Sequence, residues 1–152
     1  MRVKLIGTVL ALGVMGCGGG EQQQAGQAGG EQAAAPAAGG AVVEVRMTGD
    51  GVRTAAFEPA AITIAPGTTL RFINVSGGPH NVAFWADSIP AGAAAILNAA
   101  MPNRMNNLSG PFATAPNEIY EITFPASAPT GAYGTYCLPH LALGMKMKIT
   151  VQ

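Results

Sequence analysis

The chain has 152 residues, with eight basic side chains balanced by eight acidic ones. At zero formal net charge, with 11% charged residues, it has no basic tract for nucleic acid and no acidic block for steering. The length suits one domain and a tail. Gly, Ala and Pro crowd the first forty residues, so the composition describes two different materials.

Met1 to Lys4 carries two positive charges and Leu5 to Met15 is apolar, the n-region and h-region of a secretory signal. The run is shorter than the ~20 residues that span a bilayer. Val14-Met15-Gly16-Cys17 resembles the bacterial lipobox, in which a small residue precedes a Cys whose thiol is lipidated after cleavage. Residues 1–16 then read as a lipoprotein signal peptide and Cys17 as the lipidation site. The plainer alternative is an ordinary signal peptide with an incidental Cys. Gly18 to Gly40 is Gly, Gln, Ala and Glu with one Pro. It has too little branched or aromatic surface to offset its ordering entropy, so residues 17–40 are expected to be a flexible linker.

From Ala41 the pattern becomes period-2. Val43, Val45 and Met47 share one face, and Gly49-Asp50-Gly51 makes a turn. Ala61 to Ile64 is a short apolar run closed by Pro66-Gly67. Leu70 and Phe72 alternate with Thr69 and Arg71, and Val82 and Phe84 follow His80. Ala91 to Ala100 suits a short helix, and Met101 to Pro116 reads as irregular, broken by Pro and Gly. Tyr120, Ile122 and Phe124 alternate next, and Gly131 to Tyr136 leads into Cys137. Met145, Met147, Ile149 and Val151 alternate with Lys146, Lys148 and Thr150. Seven or eight short strands with turns between them argue an all-β sandwich over residues 41–152.

The chemistry gathers in Tyr136-Cys137-Leu138-Pro139-His140-Leu141-Ala142-Leu143-Gly144-Met145. A thiol, an imidazole and a thioether share one tight loop, stiffened at Pro139 and turned at Gly144. The only other histidine, His80, stands in Gly78-Pro79-His80-Asn81. Taken singly, Cys137 reads as a small core residue, His80 or His140 as a hydrogen-bonding residue, and Met145 as core packing. Together, two nitrogens, one thiolate and one weak sulfur make the ligand set of a blue-copper electron-transfer site. Structural zinc takes four strong ligands, and a thioether is a poor one for it. Met147 has the same strand phase as Met145 and is assigned to the core. A Cys17–Cys137 disulfide is the bland alternative for two cysteines in an exported chain.

The C-x2-H-x4-M spacing, Tyr136 before Cys137 and the upstream Pro79-His80-Asn81 resemble plastocyanin, over Ala41 to Gln152. The resemblance implies a cupredoxin-like Greek-key β-sandwich of seven to eight strands, with a short helix or irregular insert after the His80 strand. It implies one copper held by His80, Cys137, His140 and Met145. It implies that the Asn81 N–H points at the Cys sulfur and that the Asn81 side chain ties the two ligand loops together. Where the family usually has Ser after the Cys, this chain has Leu138. By the same analogy, His140 reaches the surface through an apolar rim of Pro79, Leu138, Pro139, Leu141 and Leu143.

No acid or base lies in the motif, so the expected process is one-electron transfer with no substrate transformed, and the protein is not read as an enzyme. The expected protein is a monomeric, membrane-tethered electron shuttle, exported to the periplasmic side or the cell surface. Its redox donor and acceptor are proteins such as a cytochrome or a respiratory or photosynthetic complex. The alternative is a copper-binding protein that delivers metal to an oxidase, for which Met101 and Met105 in the irregular region are the relevant residues.

Overall fold

The computed structural model describes residues 39–152. The signal peptide over residues 1–16, Cys17 and the linker as far as residue 38 lie outside the described residues. Eight strands form two four-stranded sheets. Strands β1 (Val42–Gly49), β2 (Ala55–Glu58), β4 (Thr69–Asn74) and β6 (Ile119–Thr123) build the first, in the order β2-β1-β4-β6. Strands β3 (Ala61–Ile64), β5 (Ala83–Phe84), β7 (Gly131–Tyr136) and β8 (Lys146–Val151) build the second, in the order β3-β8-β7-β5. Both sheets are mixed: β1 runs parallel to β4 and β3 parallel to β8, and the remaining neighbours are antiparallel. The architecture is the two-sheet β-sandwich that the resemblance implies.

The alternation in the sequence maps onto the two layers because successive side chains of a strand face opposite ways. Val45 and Met47 of β1, Leu70 and Phe72 of β4, Ile122 of β6 and Met147, Ile149 and Val151 of β8 are buried. Glu44, Arg46, Lys146 and Lys148 between them are exposed. Edge-to-face rings fill the core. Phe57 meets Phe72 at 6.1 Å within the first sheet, and Phe124, just past β6, meets both Phe84 and Tyr133 of the second sheet and so joins the layers. The Tyr133 hydroxyl, carried into this apolar interior, donates to the Pro129 carbonyl at 2.6 Å.

One turn fixes the approach to the site. Asp50 Oδ1 accepts from the backbone N–H groups of Val52, Arg53 and Thr54. The Thr54, Arg53 and Val52 N–H groups favour the ionised form and hold its carboxyl well below the usual range. This turn packs against the loop that leads to His80. A Cβ on Gly77, whose φ is +74°, would stand 2.6 Å from the Gly49 carbonyl oxygen, so only glycine lets the two backbones meet.

The expected helix forms as α1 (Ala93–Ala100), burying Ala93 and Leu97. After it, residues 101–116 run without strand or helix, tied down by isolated bridges such as His80 to Ala113. Gly40 already donates to the Gly67 carbonyl, so the chain joins the sandwich where β4 begins. The His80 loop leaves from the end where β4 finishes.

Truncating the centre of the core should be expensive. Phe72 is fully buried, and Phe72→Ala should lower unfolding stability by about 3–5 kcal/mol in chemical denaturation. Val42, 51% exposed on the outer face, should tolerate Ala within about 0.5 kcal/mol.

Candidate metal centre

The site sits at one end of the sandwich, where the two sheets meet through loops. From the first sheet, β4 ends at Asn74, and the chain turns through Val75-Ser76-Gly77-Gly78-Pro79 to His80. From the second sheet, β7 ends at Tyr136 and passes directly into Cys137. The chain then makes a 3-10 turn over Leu141–Leu143, closes at Gly144 with φ +80°, and enters β8 just after Met145. Two hydrogen bonds lock this loop shut: the Cys137 N–H donates to the Met145 carbonyl at 3.1 Å, and the Met145 N–H to the His140 carbonyl at 3.2 Å.

His80, Cys137 and His140 converge and are all buried. Cys137 Sγ lies 3.7 Å from His80 Nδ1 and 3.6 Å from His140 Nδ1, and the two nitrogens are 3.1 Å apart. The point in their plane equidistant from all three atoms is about 2.0 Å from each, the length of a metal–imidazole bond. A thiolate and two imidazoles are the donors that copper prefers. Met145 is fully buried at the mouth of β8, its backbone bonded to both Cys137 and His140.

The surroundings set the protonation of the donors. His80 Nε2 donates to the Ser76 carbonyl at 2.8 Å, which leaves its Nδ1 lone pair turned toward the other donors. Ser76 is itself held to β1: its N–H reaches the Met47 carbonyl, and its hydroxyl accepts from the Gly49 N–H. Burial pushes the His80 pKa down, against the pull of the Ser76 carbonyl. Burial pushes the Cys137 thiol up, while the backbone N–H groups of Asn81 and His140 pull the other way. The metal-free pocket therefore favours a neutral imidazole at His80 and raises the cost of an unpaired thiolate.

Asn81 joins the two ligand loops. Its backbone N–H points at Cys137 Sγ at 3.4 Å, and its side-chain Oδ1 accepts from the Leu138 N–H at 2.7 Å. Because the donor is the Leu138 backbone, Leu in place of the family's usual Ser leaves this cross-link intact. Asn81 Nδ2 is held by Ser109 Oγ at 3.2 Å and the Gly110 carbonyl at 3.4 Å. Ser109 and Ser76 were not singled out in the sequence. Ser76 acts on His80 through a carbonyl that any residue type carries, and Ser109 lies in a stretch with no periodicity.

The residues expected to form the rim differ in exposure. Leu138 is 50% exposed, Pro79 and Pro139 are exposed, and Leu141 and Leu143 are half-buried. Met147 faces the core, as its strand phase requires. Met101 is buried and Met105 exposed, on the irregular stretch after α1.

The profile described as copper binding proteins, plastocyanin/azurin family, matches residues 43–152. The chain belongs to that family. A plastocyanin from Scenedesmus fuscus is 40% identical over 96 residues, covering 63% of this chain and 86% of its own. One from Rumex obtusifolius is 34% identical over 110 residues, 72% of this chain and all of its own. Among solved structures, oxidised plastocyanin from Dryopteris crassirhizoma gives a TM-score of 0.53 at 27% identity, over 72% of this chain and all of that one. Pseudoazurin from Methylobacterium extorquens shares the fold, with a TM-score of 0.50 at 24% identity over 72% of this chain and 74% of its own. This cupredoxin is a blue copper electron-transfer protein, and its cofactor is copper.

Adding Cu(II) to the reduced metal-free domain should give an intense blue or green colour from the thiolate bond. Cys137→Ala should abolish that absorption, and Met147→Leu should leave it nearly unchanged. A colourless copper complex of the wild-type domain would rule the site out.

Proposed function

We propose that this cupredoxin is a membrane-tethered shuttle of single electrons between two redox proteins. His80, Cys137 and His140 would hold the copper, with the Met145 thioether as a weaker sulfur donor. The observation that carries the reading is the triangle of three buried donors, His80, Cys137 and His140. Copper bound there supplies a one-electron Cu(II)/Cu(I) couple. The residues supply everything else. The Ser76 carbonyl orients the His80 ring, the Asn81 amide holds the Cys137 loop, and Pro139 and Gly144 fix the path of the chain between ligands. The donors are thus held at their spacing by the fold, and little need move when an electron arrives or leaves. No substrate is transformed.

His140 is the port. It is 5% exposed, and among the described residues no hydrogen bond engages its Nε2. Leu138, Pro139 and Pro79 surround it with exposed apolar surface, which favours a partner with a matching apolar face. That partner is a donor or acceptor protein such as a cytochrome or a respiratory or photosynthetic complex. Charge contributes little, because Asp87, Glu118 and Glu121 form no concentrated field of one sign. Burial of all three donors favours a carrier over a delivery protein, whose metal must exchange readily.

The lipobox-like run ending in Cys17 supports export followed by lipid anchoring, on the periplasmic side or at the cell surface. No helix among the described residues is long and apolar enough to cross a membrane. The protein acts as a monomer.

The port is tested at Leu138, the most exposed leucine of the rim. Leu138→Glu should slow electron transfer to the partner at least several-fold and leave the visible spectrum intact. The wild-type rate should change little between low and moderate salt. A rate that collapses with added salt would show that charge governs the encounter.

The anchor is tested by Cys17→Ser in a bacterial host. The variant should lose lipid attachment and partition away from membranes. An unmodified Cys17 thiol in the mature wild-type protein, read by mass spectrometry, would rule the anchor out.

A further inference from the structure

Asn74 closes β4, six residues before His80 and outside the donor set. It is 2% exposed. Its Nδ2 donates to two carbonyls, Ala113 at 3.1 Å and Ala115 at 2.9 Å. Its backbone holds the same stretch, donating to the Glu118 carbonyl and accepting from the Asn117 N–H. In return, Asn74 Oδ1 is the one buried side-chain nitrogen or oxygen among the described residues with no hydrogen-bond partner. Buried polar atoms are rarely left so, and an orphan calls for an explanation.

The stretch that Asn74 grips is the one that holds His80. Ala113 and His80 exchange both backbone hydrogen bonds, His80 N–H to the Ala113 carbonyl at 3.0 Å and Ala113 N–H to the His80 carbonyl at 2.8 Å. The Ala113 carbonyl therefore accepts from the His80 N–H and from Asn74 Nδ2 together. Ser76 fixes the far nitrogen of the imidazole, and Ala113 fixes the backbone that carries the ring. We infer that Asn74 is a positioning residue for the His80 donor, setting where Nδ1 stands by clamping the Ala113 carbonyl. The inference rests on the proposed role of His80 as a ligand.

The chemistry of the clamp is specific. It needs two N–H donors on one atom and no charge, because the site is buried. An ionised Asp offers no donor, a protonated Asp only one, and Leu fills the space with none. The neighbouring glycine belongs to the same device. A Cβ on Gly78 would stand 3.0 Å from Asn74 Nδ2, 3.3 Å from its Oδ1 and 3.5 Å from the Ala113 carbonyl oxygen. Gly78 thus leaves the amide room to reach both carbonyls.

The test compares wild type, Asn74→Ala, Asn74→Asp and Gly78→Ala at a temperature where circular dichroism shows each folded. Copper retention is measured by chelator competition, together with the visible spectrum and the reduction potential. Exchange of the His80 Nε2 proton is followed by NMR in the metal-free protein. Loss of the clamp should weaken copper retention by about tenfold to a hundredfold, the usual effect of removing a group that orients a metal ligand. It should also shift the thiolate absorption and speed exchange of the Nε2 proton. Gly78→Ala, which removes no polar group, should move the same readouts in the same direction by less. Should the Asn74 variants not fold, Gly78→Ala decides alone. Folded variants that melt lower yet keep wild-type retention, spectrum and exchange would overturn the inference and leave Asn74 a purely structural residue. A colourless wild-type copper complex would remove the ligand reading itself, and this inference with it.

Discussion

The site depends on one hydrogen bond more than on any other, the 2.7 Å contact from the Leu138 N–H to Asn81 Oδ1. Asn81 follows the His80 loop that leaves the first sheet, and Leu138 follows Cys137, just past the strand of the second sheet that ends at Tyr136. The bond fastens the two layers at the end where the donors meet. Without it, the direct hydrogen bonding between the two ligand loops would be reduced to the longer Asn81 N–H to Cys137 Sγ contact at 3.4 Å, with the rest left to apolar packing, which is not directional. A hydrogen bond is directional, and breaking this partly buried one leaves the oxygen of Asn81, a residue 1% exposed, without its partner. The amide is itself constrained, because Ser109 and Gly110 hold its Nδ2 and so decide which way its oxygen points. The loop that supplies Ser109 is irregular in backbone yet anchored, since the Leu108 N–H donates to Asn98 Oδ1 on α1.

The same reasoning explains how three buried donors are brought to one point. Two imidazole nitrogens 3.1 Å apart and a thiol nearby are not a grouping that apolar burial would assemble unaided. Each is carried there by its backbone. His80 is pinned through Ser76 and Ala113, Cys137 through the Met145 carbonyl and the Asn81 N–H, and His140 by the tight turn that Gly144 closes. Desolvation keeps the His80 ring neutral and raises the cost of a free thiolate, so the metal-free pocket avoids unpaired charge. On the proposed reading, rigidity of the donors and low reorganisation on electron transfer would be one property, produced by hydrogen bonds that do not involve the metal.

Much of this was legible in the sequence, for physical reasons that differ by element. Strand β8 reads cleanly because its outer face carries Lys146 and Lys148 while its inner face is Met147, Ile149 and Val151. The donor set reads because histidine is scarce: with only two in the chain, His80 is the one nitrogen that can join His140. Strand β5 reads only in part: Val82 and Phe84 continue the alternation, but the strand is only Ala83–Phe84, and with Val82, Ala83 and Phe84 all buried it has no period of its own. The effect of Leu138 did not read either, because the contact there is made by the backbone and the residue type is silent about it. Ser76, Ser109 and Asn74 share that difficulty. Their partners are carbonyls and amides brought near by the fold, and no local pattern announces them.

The two ends of the sandwich do different things, and the topology forces this. Strands β1 and β4 run parallel, so the end where the chain enters at Gly40 is the end where β4 begins. The donors lie where β4 finishes, a strand of six residues and roughly 20 Å away. The chain therefore enters the domain at the pole opposite the donors, and the loops that carry His80 and His140 are clear of the connection at Gly40. On the proposed reading, that leaves the face around the exposed Leu138 open to a redox partner, because the covalent entry and the electron port occupy opposite ends of the same two sheets.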